Sequence, residues 1–459
     1  MSANSNVKLI LTLWCRGWPK FLNPAIALGL RLAVIGATFH GSEKVVSWED
    51  VAIANNLLAG KGYSIDNTWR NRMLYSFVED EIRNPTTEGY RATTLKPPVF
   101  PFLLVLLFSC FGVGNFVPLF IFNSALEAFA TLFLYLSLEK QSKPIASLAA
   151  IGAAVYPPFL FHCATAPENT SLIFFLVSLF LYQCTALGGK PNGARFFVLG
   201  ITGGMMIMTN PALLVFVSGG TILIAWVVTK RAREFLHSIV VSAVAVGLMV
   251  FPWVARNYIV FHKPVIKANL GHLLLKARYT NGDGLWVPAE KILEVEVKGR
   301  SLDEVQEDQL LKSVVIPYVK NAPFKFVAEV GKNFSHLWWE PNSYRGDHSL
   351  KYVLGRLVPY LLILPLSLIA MLWNLIECGK DPIAYTRTHC IQVLAFLLIL
   401  GDTLIFSIFG AWNIRYHLPT EFAMLPFFAE AVVSIFSGNS SLARLWPSLS
   451  AKPKSVYSR

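Results

Sequence analysis

Ten apolar runs dominate this 459-residue chain, at about 21–40, 117–137, 145–160, 169–187, 195–210, 211–228, 235–254, 350–374, 390–409 and 417–436. A helix needs about 20 such residues to cross a hydrocarbon core. Only helices and closed barrels satisfy their backbone groups there. The expected fold class is therefore an all-α polytopic membrane protein. Composition agrees: 54% of residues are hydrophobic and 15% are charged, against about 25% charged in a soluble domain. In such a chain the formal net charge of +12 reports loops beside anionic lipid rather than a nucleic-acid surface, and no nucleic-acid partner is expected. The six cysteines show no CxxC spacing and lie mostly in or beside apolar runs. They read as small buried hydrophobes, not as a disulfide framework or a zinc site. The first run follows Lys8, Arg16 and Lys20 and lacks a small-residue cleavage site, so it is expected to be a retained span with its N-terminus inside.

Charge sets the topology. Residues 97–112 are apolar but only 16 long, start with Pro97 and Pro98, and end at Gly112. That is short for a crossing and suits a re-entrant or interfacial helix. With that assignment, the basic connections Lys140–Lys143, Lys190–Arg195, Lys230–Arg233, Lys380–Arg387 and the tail all fall in the cytoplasm, as the positive-inside rule requires. If 97–112 crossed fully, the rule would fail along most of the chain. About ten spans result, in four parts. Residues 1–254 form a transmembrane module with a long first outer loop (41–96). Residues 255–349 form an extracytoplasmic region with interfacial helices, 350–437 the last transmembrane helices, and 438–459 a basic cytoplasmic tail.

This topology gathers polar residues on one face: Glu49, Asp50 and Lys96 from the first loop, Glu168 from the second, Arg256 at the start of the long loop, and Arg415, Tyr416 and His417 from the last. The first loop opens with a helical spacing of Val51, Ala54, Leu57 and Leu58, ended by Gly60 and Gly62. In the long loop, Ser301 and Glu304 match a capping box, and Phe324, Val327, Val330, Phe334 and Leu337 recur at helical spacing, as in a helix along an interface. Arg31, inside the first span, is either a structural salt link or a lipid-phosphate contact.

The order of these features resembles the GT-C class of membrane glycosyltransferases, above all the bacterial relatives of protein O-mannosyltransferases and lipid A aminoarabinose transferases. The matching pieces are Trp48-Glu49-Asp50 with Ala54, Leu57, Gly60, Gly62 and Tyr63; Lys96-Pro97-Pro98; Ala166-Pro167-Glu168; Pro252-Trp253 with Arg256-Asn257-Tyr258; Asn269 with Gly271, and Asn281-Gly282; Asn321-Ala322-Pro323 with Phe334 and Trp338; and Arg415-Tyr416 with Pro419. None is specific alone; seven in sequence over nearly the whole chain are. The resemblance implies a polyprenyl-phosphate sugar donor drawn from the bilayer, transfer with inversion on the extracytoplasmic face of the cell (inner) membrane, a first-loop carboxylate acting on the acceptor, and basic residues on the donor phosphate. It allows a divalent metal ion as cofactor without requiring one. The acceptor is left as a lipid, a glycan or a protein. Many relatives carry an aspartate a few residues before Glu49, where this chain has Val46 and Ser47, so the base is either Glu49 or Asp50.

The chemistry itself asks for a base on the acceptor, cations on the leaving phosphate, and shelter for an oxocarbenium-like transition state. Asp50 is the first candidate for the base and Glu49 the second; one of two adjacent helical residues should face the site, since they point about 100° apart. Glu168 is the candidate second carboxylate, orienting the acceptor or a divalent ion. For each acid the alternative is a helix N-terminus favouring negative charge. Lys96, Arg256 and Arg415 are candidates for the donor phosphate, with interfacial snorkelling as the alternative. Tyr416, His417 and Asn257 are candidates for the sugar or acceptor pocket; a headgroup-zone aromatic is the alternative for Tyr416. His162 reads equally as a core histidine. A transporter or lipid flippase, the competing function, finds no inverted repeat and few ionisable residues deep in the spans, chiefly Arg31, Glu127 and Asp402. A catalytically dead subunit with the same fold is the third reading.

Overall fold

The computed structural model describes residues 20–38, 49–66, 89–188, 191–279, 302–339, 353–410 and 414–437. The motif residues Trp48, Asn281 and Gly282, the predicted cap Ser301 and the tail 438–459 lie outside them. The described part is helical apart from one two-stranded ribbon. Helix α1 is Leu22–Thr38, α2 Glu49–Leu58, then strands β1 (Ser64–Asp66) and β2 (Tyr90–Ala92), α3 Val99–Phe111, α4 Val117–Leu138, α5 Lys143–Val155, α6 Pro157–Thr165, α7 Thr170–Leu187, α8 Gly193–Thr209, a 3₁₀ turn Pro211–Leu213, α9 Leu214–Val228 and α10 Ala232–Phe261. The outer region holds α11 Leu270–Tyr279, α12 Glu304–Asn321 and α13 Pro323–Trp339. A π turn, Val353–Leu357, precedes α14 Val358–Lys380, and α15 Pro382–Thr388, α16 Cys390–Phe409 and α17 Ile414–Ser437 close the chain.

Among the described residues, seven helices are long and apolar enough to cross a membrane singly, and the bent pair α5–α6, taken as one span, makes an eighth. Helices α1 and α8, both 17 residues, stand at the short end of the spanning range. The chain is a multi-pass membrane protein. Helix α3 has only 13 residues, about 20 Å of rise, well short of a crossing. Helix α10 runs 30 residues, past the expected span end to Phe261, so Arg256 lies on a helix and not in a loop. Helix α12 is capped by Asp303 with Gln306, whose side chain returns to the Asp303 N–H. Glu304, at the first helical position, faces the first loop.

The bend between α5 and α6 shows how the sequence places the site. Pro157 and Pro158 lack the N–H groups that the carbonyls of Ala153 and Ala154 would receive in a continuous helix. Arg31 supplies them: Nη2 donates to Ala153 O (3.1 Å) and Nη1 to Ala154 O (3.2 Å). Its Nε donates to Glu127 Oε2 at 2.7 Å, and Ser171 donates to the other oxygen of Glu127. Arg31 is thus the structural link of the two readings the sequence allowed, and the helices bend by 45° around it. Below the site, Phe174 stacks on Phe422 at 5.0 Å and meets Phe159 edge-on at 4.8 Å, packing α6, α7 and α17 together. Helices α8 and α10 touch through Gly200 and Gly204, where a Cβ on Gly204 would come within 2.6 Å of Met249 Cβ; small residues at this spacing let membrane helices approach closely.

Candidate active site

Helix α2 ends in a Schellman turn. Lys61 N–H bonds Asn56 O, Gly60 N–H bonds Leu57 O, and Gly60 takes φ +73°. The turn sends the chain into β1, which pairs antiparallel with β2 in the register Ser64–Ala92, Ile65–Arg91 and Asp66–Tyr90. The ribbon carries residues 93–96 back over the first turn of α2. Tyr63 fixes the return by donating from its hydroxyl to Lys96 O at 2.8 Å.

Lys96 Nζ then stands 3.2 Å from Asp50 Oδ2 and 3.5 Å from Glu49 Oε2. Both adjacent acids reach the site, because a long lysine stem serves two directions that a helix holds apart. Asp50 is the more enclosed, 3% exposed. Burial, reinforced by the Glu49 charge and opposed by Lys96, pushes its carboxyl above the ordinary aspartate range. For Glu49, burial is outweighed by Lys96 and then Arg415, which hold it below the ordinary value. Burial also disfavours the Lys96 ammonium, but Asp50 and Glu49 prevail and keep it charged.

The second half comes from span ends. Arg415 donates through Nη1 to Glu168 Oε1 at 2.8 Å and through Nη2 to the Tyr416 hydroxyl at 2.7 Å. His162 Nε2, at the end of α6, lies 3.3 Å from Glu168 Oε2 and 3.0 Å from Thr170 Oγ1. Burial works against the Glu168 anion, yet Arg415 and His162 bring its pKa down to about 2. Arg415 also acts electrostatically on Glu49, Asp50 and Lys96, so the two halves form one cluster.

Three candidates stand elsewhere. Arg256 donates to Thr93 O (2.9 Å), Tyr63 O (3.0 Å) and Asn257 Oδ1 (2.8 Å), and its guanidinium lies over the Tyr63 and Trp253 rings. It straps the first loop to α10. Asn257, wholly buried, donates to Val265 O at 2.7 Å and holds the chain leaving α10. His417, 1% exposed, faces Glu421 with Nδ1 at 2.6 Å, within the bundle. A further strap joins the outer region to the loop: Glu304 accepts from Thr93 Oγ1 at 2.6 Å and Thr94 N at 2.7 Å. The glycine of the Asn269 motif serves the same assembly. A Cβ on Gly271 would collide with the α12 backbone, and its N–H donates to Asp308 at 2.6 Å.

Sequence reading missed Lys267. It follows α10 on the Ala268 turn, whose N–H donates to Thr94. Burial pulls its pKa down to about 7; Lys96 and Arg415 add to this, while Glu49 and Asp50 oppose it. Its signal was a lysine two residues before Asn269, on the face where cations are scarce. Lys96, Arg415 and Lys267 thus bring three basic side chains to a cluster of three carboxylates, Glu49, Asp50 and Glu168, and basic groups so placed can turn to an anionic ligand. Among the described residues, no three of His, Cys, Asp and Glu are grouped as metal ligands would be.

Residues 95–255 match the family profile described as dolichyl-phosphate-mannose-protein mannosyltransferase. No curated protein matches the chain. Among solved structures, the chain is similar to the oligosaccharyltransferase of Archaeoglobus fulgidus in its apo form, at 14% identity and a TM-score of 0.51, covering 96% of this chain and 53% of that one. It is also similar to the same enzyme tethered by a disulfide to an acceptor peptide with the NVT sequon, at 14% identity and a TM-score of 0.50, covering 96% and 52%. The chain thus spans about half the length of the structures it matches. The fold is that of the GT-C membrane glycosyltransferases, as the order of sequence motifs implied.

Proposed function

We propose that this protein is a membrane glycosyltransferase that moves a sugar from a polyprenyl-phosphate donor to an acceptor hydroxyl, with inversion, at the cluster of Glu49, Asp50, Lys96, Glu168, Lys267 and Arg415. The observation that carries the reading is Lys96, placed between two enclosed carboxylates and within the field of Arg415. The match to a family described by a lipid-phosphate sugar supports the donor class.

In this mechanism Lys96, Arg415 and Lys267 hold the donor phosphate. Asp50 takes the acceptor proton, since its carboxyl is the one held above the ordinary range. The acceptor oxygen bonds to the anomeric carbon as the bond from that carbon to the phosphate oxygen breaks, and the electron pair leaves with the lipid phosphate. Drawing Lys96 onto the phosphate removes the cation nearest Asp50, so donor binding itself strengthens the base. Glu168, fixed low by Arg415, aims that arginine and takes no proton. Arg256 and Asn257 position the loop.

Charge supports a side of the membrane for this site. The connections at the site's end of the bundle alternate with the basic ones of the other end, which the positive-inside rule assigns to the cytoplasm. The site would then face outward from the cell (inner) membrane. The test is transfer of labelled sugar from a set of polyprenyl-phosphate sugars by purified protein, with membranes of a deletion strain as acceptor. Asp50→Asn is expected to abolish transfer while keeping donor binding, and Lys96→Met to weaken binding. Equal transfer by wild type, Asp50→Asn and Glu49→Gln would refute the base; no transfer by wild type from any donor would refute the enzyme.

A further inference from the structure

Beneath the charged cluster lies a second polar layer. Glu421 is six residues along α17 from Arg415, about 9 Å deeper. Arg356, from the π turn before α14, forks onto Glu421 through both terminal nitrogens, and the Tyr156 hydroxyl donates to it at 2.7 Å. With both partners donating, the Glu421 carboxylate only accepts. His417 Nδ1, 2.6 Å from Glu421 Oε1, must therefore carry the ring proton. In the neutral ring this leaves Nε2 as a bare acceptor.

That acceptor is buried and has no partner among the described residues. The same holds for Nε1 of Trp338, whose ring meets the His417 ring edge-on with centroids 5.5 Å apart. An indole N–H only donates. One open donor and one open acceptor, on two rings in edge-on contact, match a group that both accepts and donates, as a sugar hydroxyl or the water it displaces does. The ring of Tyr360 closes the other side of His417, at 5.4 Å. The pair lies near the charged cluster: Trp338 packs on the same Leu337 and Phe406 as Tyr416, whose hydroxyl accepts from Arg415.

We propose that Trp338 and His417 form a sugar subsite that binds one hydroxyl of the donor's sugar, with Glu421, Arg356 and Tyr156 fixing the imidazole that reads it. The proposal rests on the glycosyltransferase reading and adds the residues that would distinguish one sugar from another. A sugar that lacks a hydroxyl there, or presents it in the other configuration, leaves both buried atoms unpaired, and such a site rejects it.

The test uses the full chain in lipid nanodiscs with ¹⁵N-indole tryptophan, the Trp338 signal being the one lost in Trp338→Phe. The probes are bare polyprenyl phosphate and polyprenyl phosphates bearing mannose, glucose, galactose or arabinose. The Trp338 N–H resonance is expected to move with at least one sugar-bearing lipid and not with the bare phosphate. Trp338→Phe should weaken that sugar lipid roughly 3- to 10-fold, the worth of one hydrogen bond. It should leave binding of bare polyprenyl phosphate unchanged. A resonance that moves equally with bare phosphate, or with no lipid of the set, overturns the subsite while leaving the donor site standing. Failure to bind any of these lipids overturns the glycosyltransferase reading, and the subsite with it.

Discussion

Arg31→Met tests whether one buried cation sets the bend on which the site is built. Arg31 is 1% exposed, and it holds Glu127 together with the two carbonyls that Pro157 and Pro158 orphan. Removing one partner of a buried ion pair costs about 3–5 kcal/mol, and each carbonyl left without a donor adds about 1–3 kcal/mol before the bend relaxes. The single variant should therefore lose roughly 5–11 kcal/mol before that relaxation. The double variant Arg31→Met/Glu127→Gln removes the stranded charge, leaves the 127 side chain able to accept from Ser171, and should regain about 3 kcal/mol of that loss. The carbonyl part should remain, so the double variant stays below wild type. Unfolding in mixed micelles by titration with SDS, followed by tryptophan fluorescence, measures both differences. If the double variant is no more stable than the single one, the cost does not come from Glu127. If it equals wild type, the carbonyls of the bend do not need Arg31.

Other predictions concern the charged cluster. With its pKa near 7, Lys267 is mostly neutral above that pH, while a bound phosphodiester favours its ammonium; donor binding above pH 7 must take up a proton. Affinity should then fall about 16-fold between pH 7 and 8.5 if Lys267 stays charged in the complex, and Lys267→Met should flatten this profile in a binding titration with a polyprenyl-phosphate sugar, whose diester does not itself titrate there. A slope that survives Lys267→Met assigns the proton to another group. Glu168→Gln should leave the fold intact but release Arg415, lowering transfer roughly 10- to 100-fold; an unchanged rate would show that Glu168 does not aim it. Glu304→Gln should weaken the strap on Thr93 and Thr94 and reduce transfer without changing which donor is used, as measured across the same donor set.

Much of the fold was legible because hydropathy over 20 residues is a local property and a bilayer reads it directly. The expected spans return as helices, and the short run at 97–112 returns as a 13-residue helix. The convergence of Glu49, Asp50, Lys96, Glu168 and Arg415 was legible for a related reason: topology places loop ends, and charge reports topology. What escaped was settled by partners that leave no mark in sequence. Arg256 looked like a phosphate ligand, yet its acceptors are mostly backbone carbonyls, which every residue carries. Lys267 looked like an ordinary loop lysine, because its burial arises only when residues 93–96 fold back against it. Arg356 and Glu421 lie near the starts of the apolar runs 350–374 and 417–436, where they pass for span-end charges; the spacing of His417 and Glu421, one helical turn apart, was the available clue.

The arrangement of straps explains how an outer loop can carry chemistry that needs fixed geometry. Glu168 and Arg415 stand at the ends of spans whose bundle core is packed by Phe159, Phe174 and Phe422, so their positions come with the fold. Glu49 and Asp50 open α2, whose Val51, Ile53 and Ala54 join that core, but Lys96 has no such foundation. Its placement is assembled from outside, by Tyr63 on the Lys96 carbonyl, by Arg256 on residues 63 and 93, and by Glu304 on residues 93 and 94. The three straps arise from three different regions of the chain, and all act on the four residues that precede Pro97. A loop tied at so many points loses little further entropy when a ligand arrives. The lysine at its end can then change partners, from carboxylate to phosphate, without the backbone having to move.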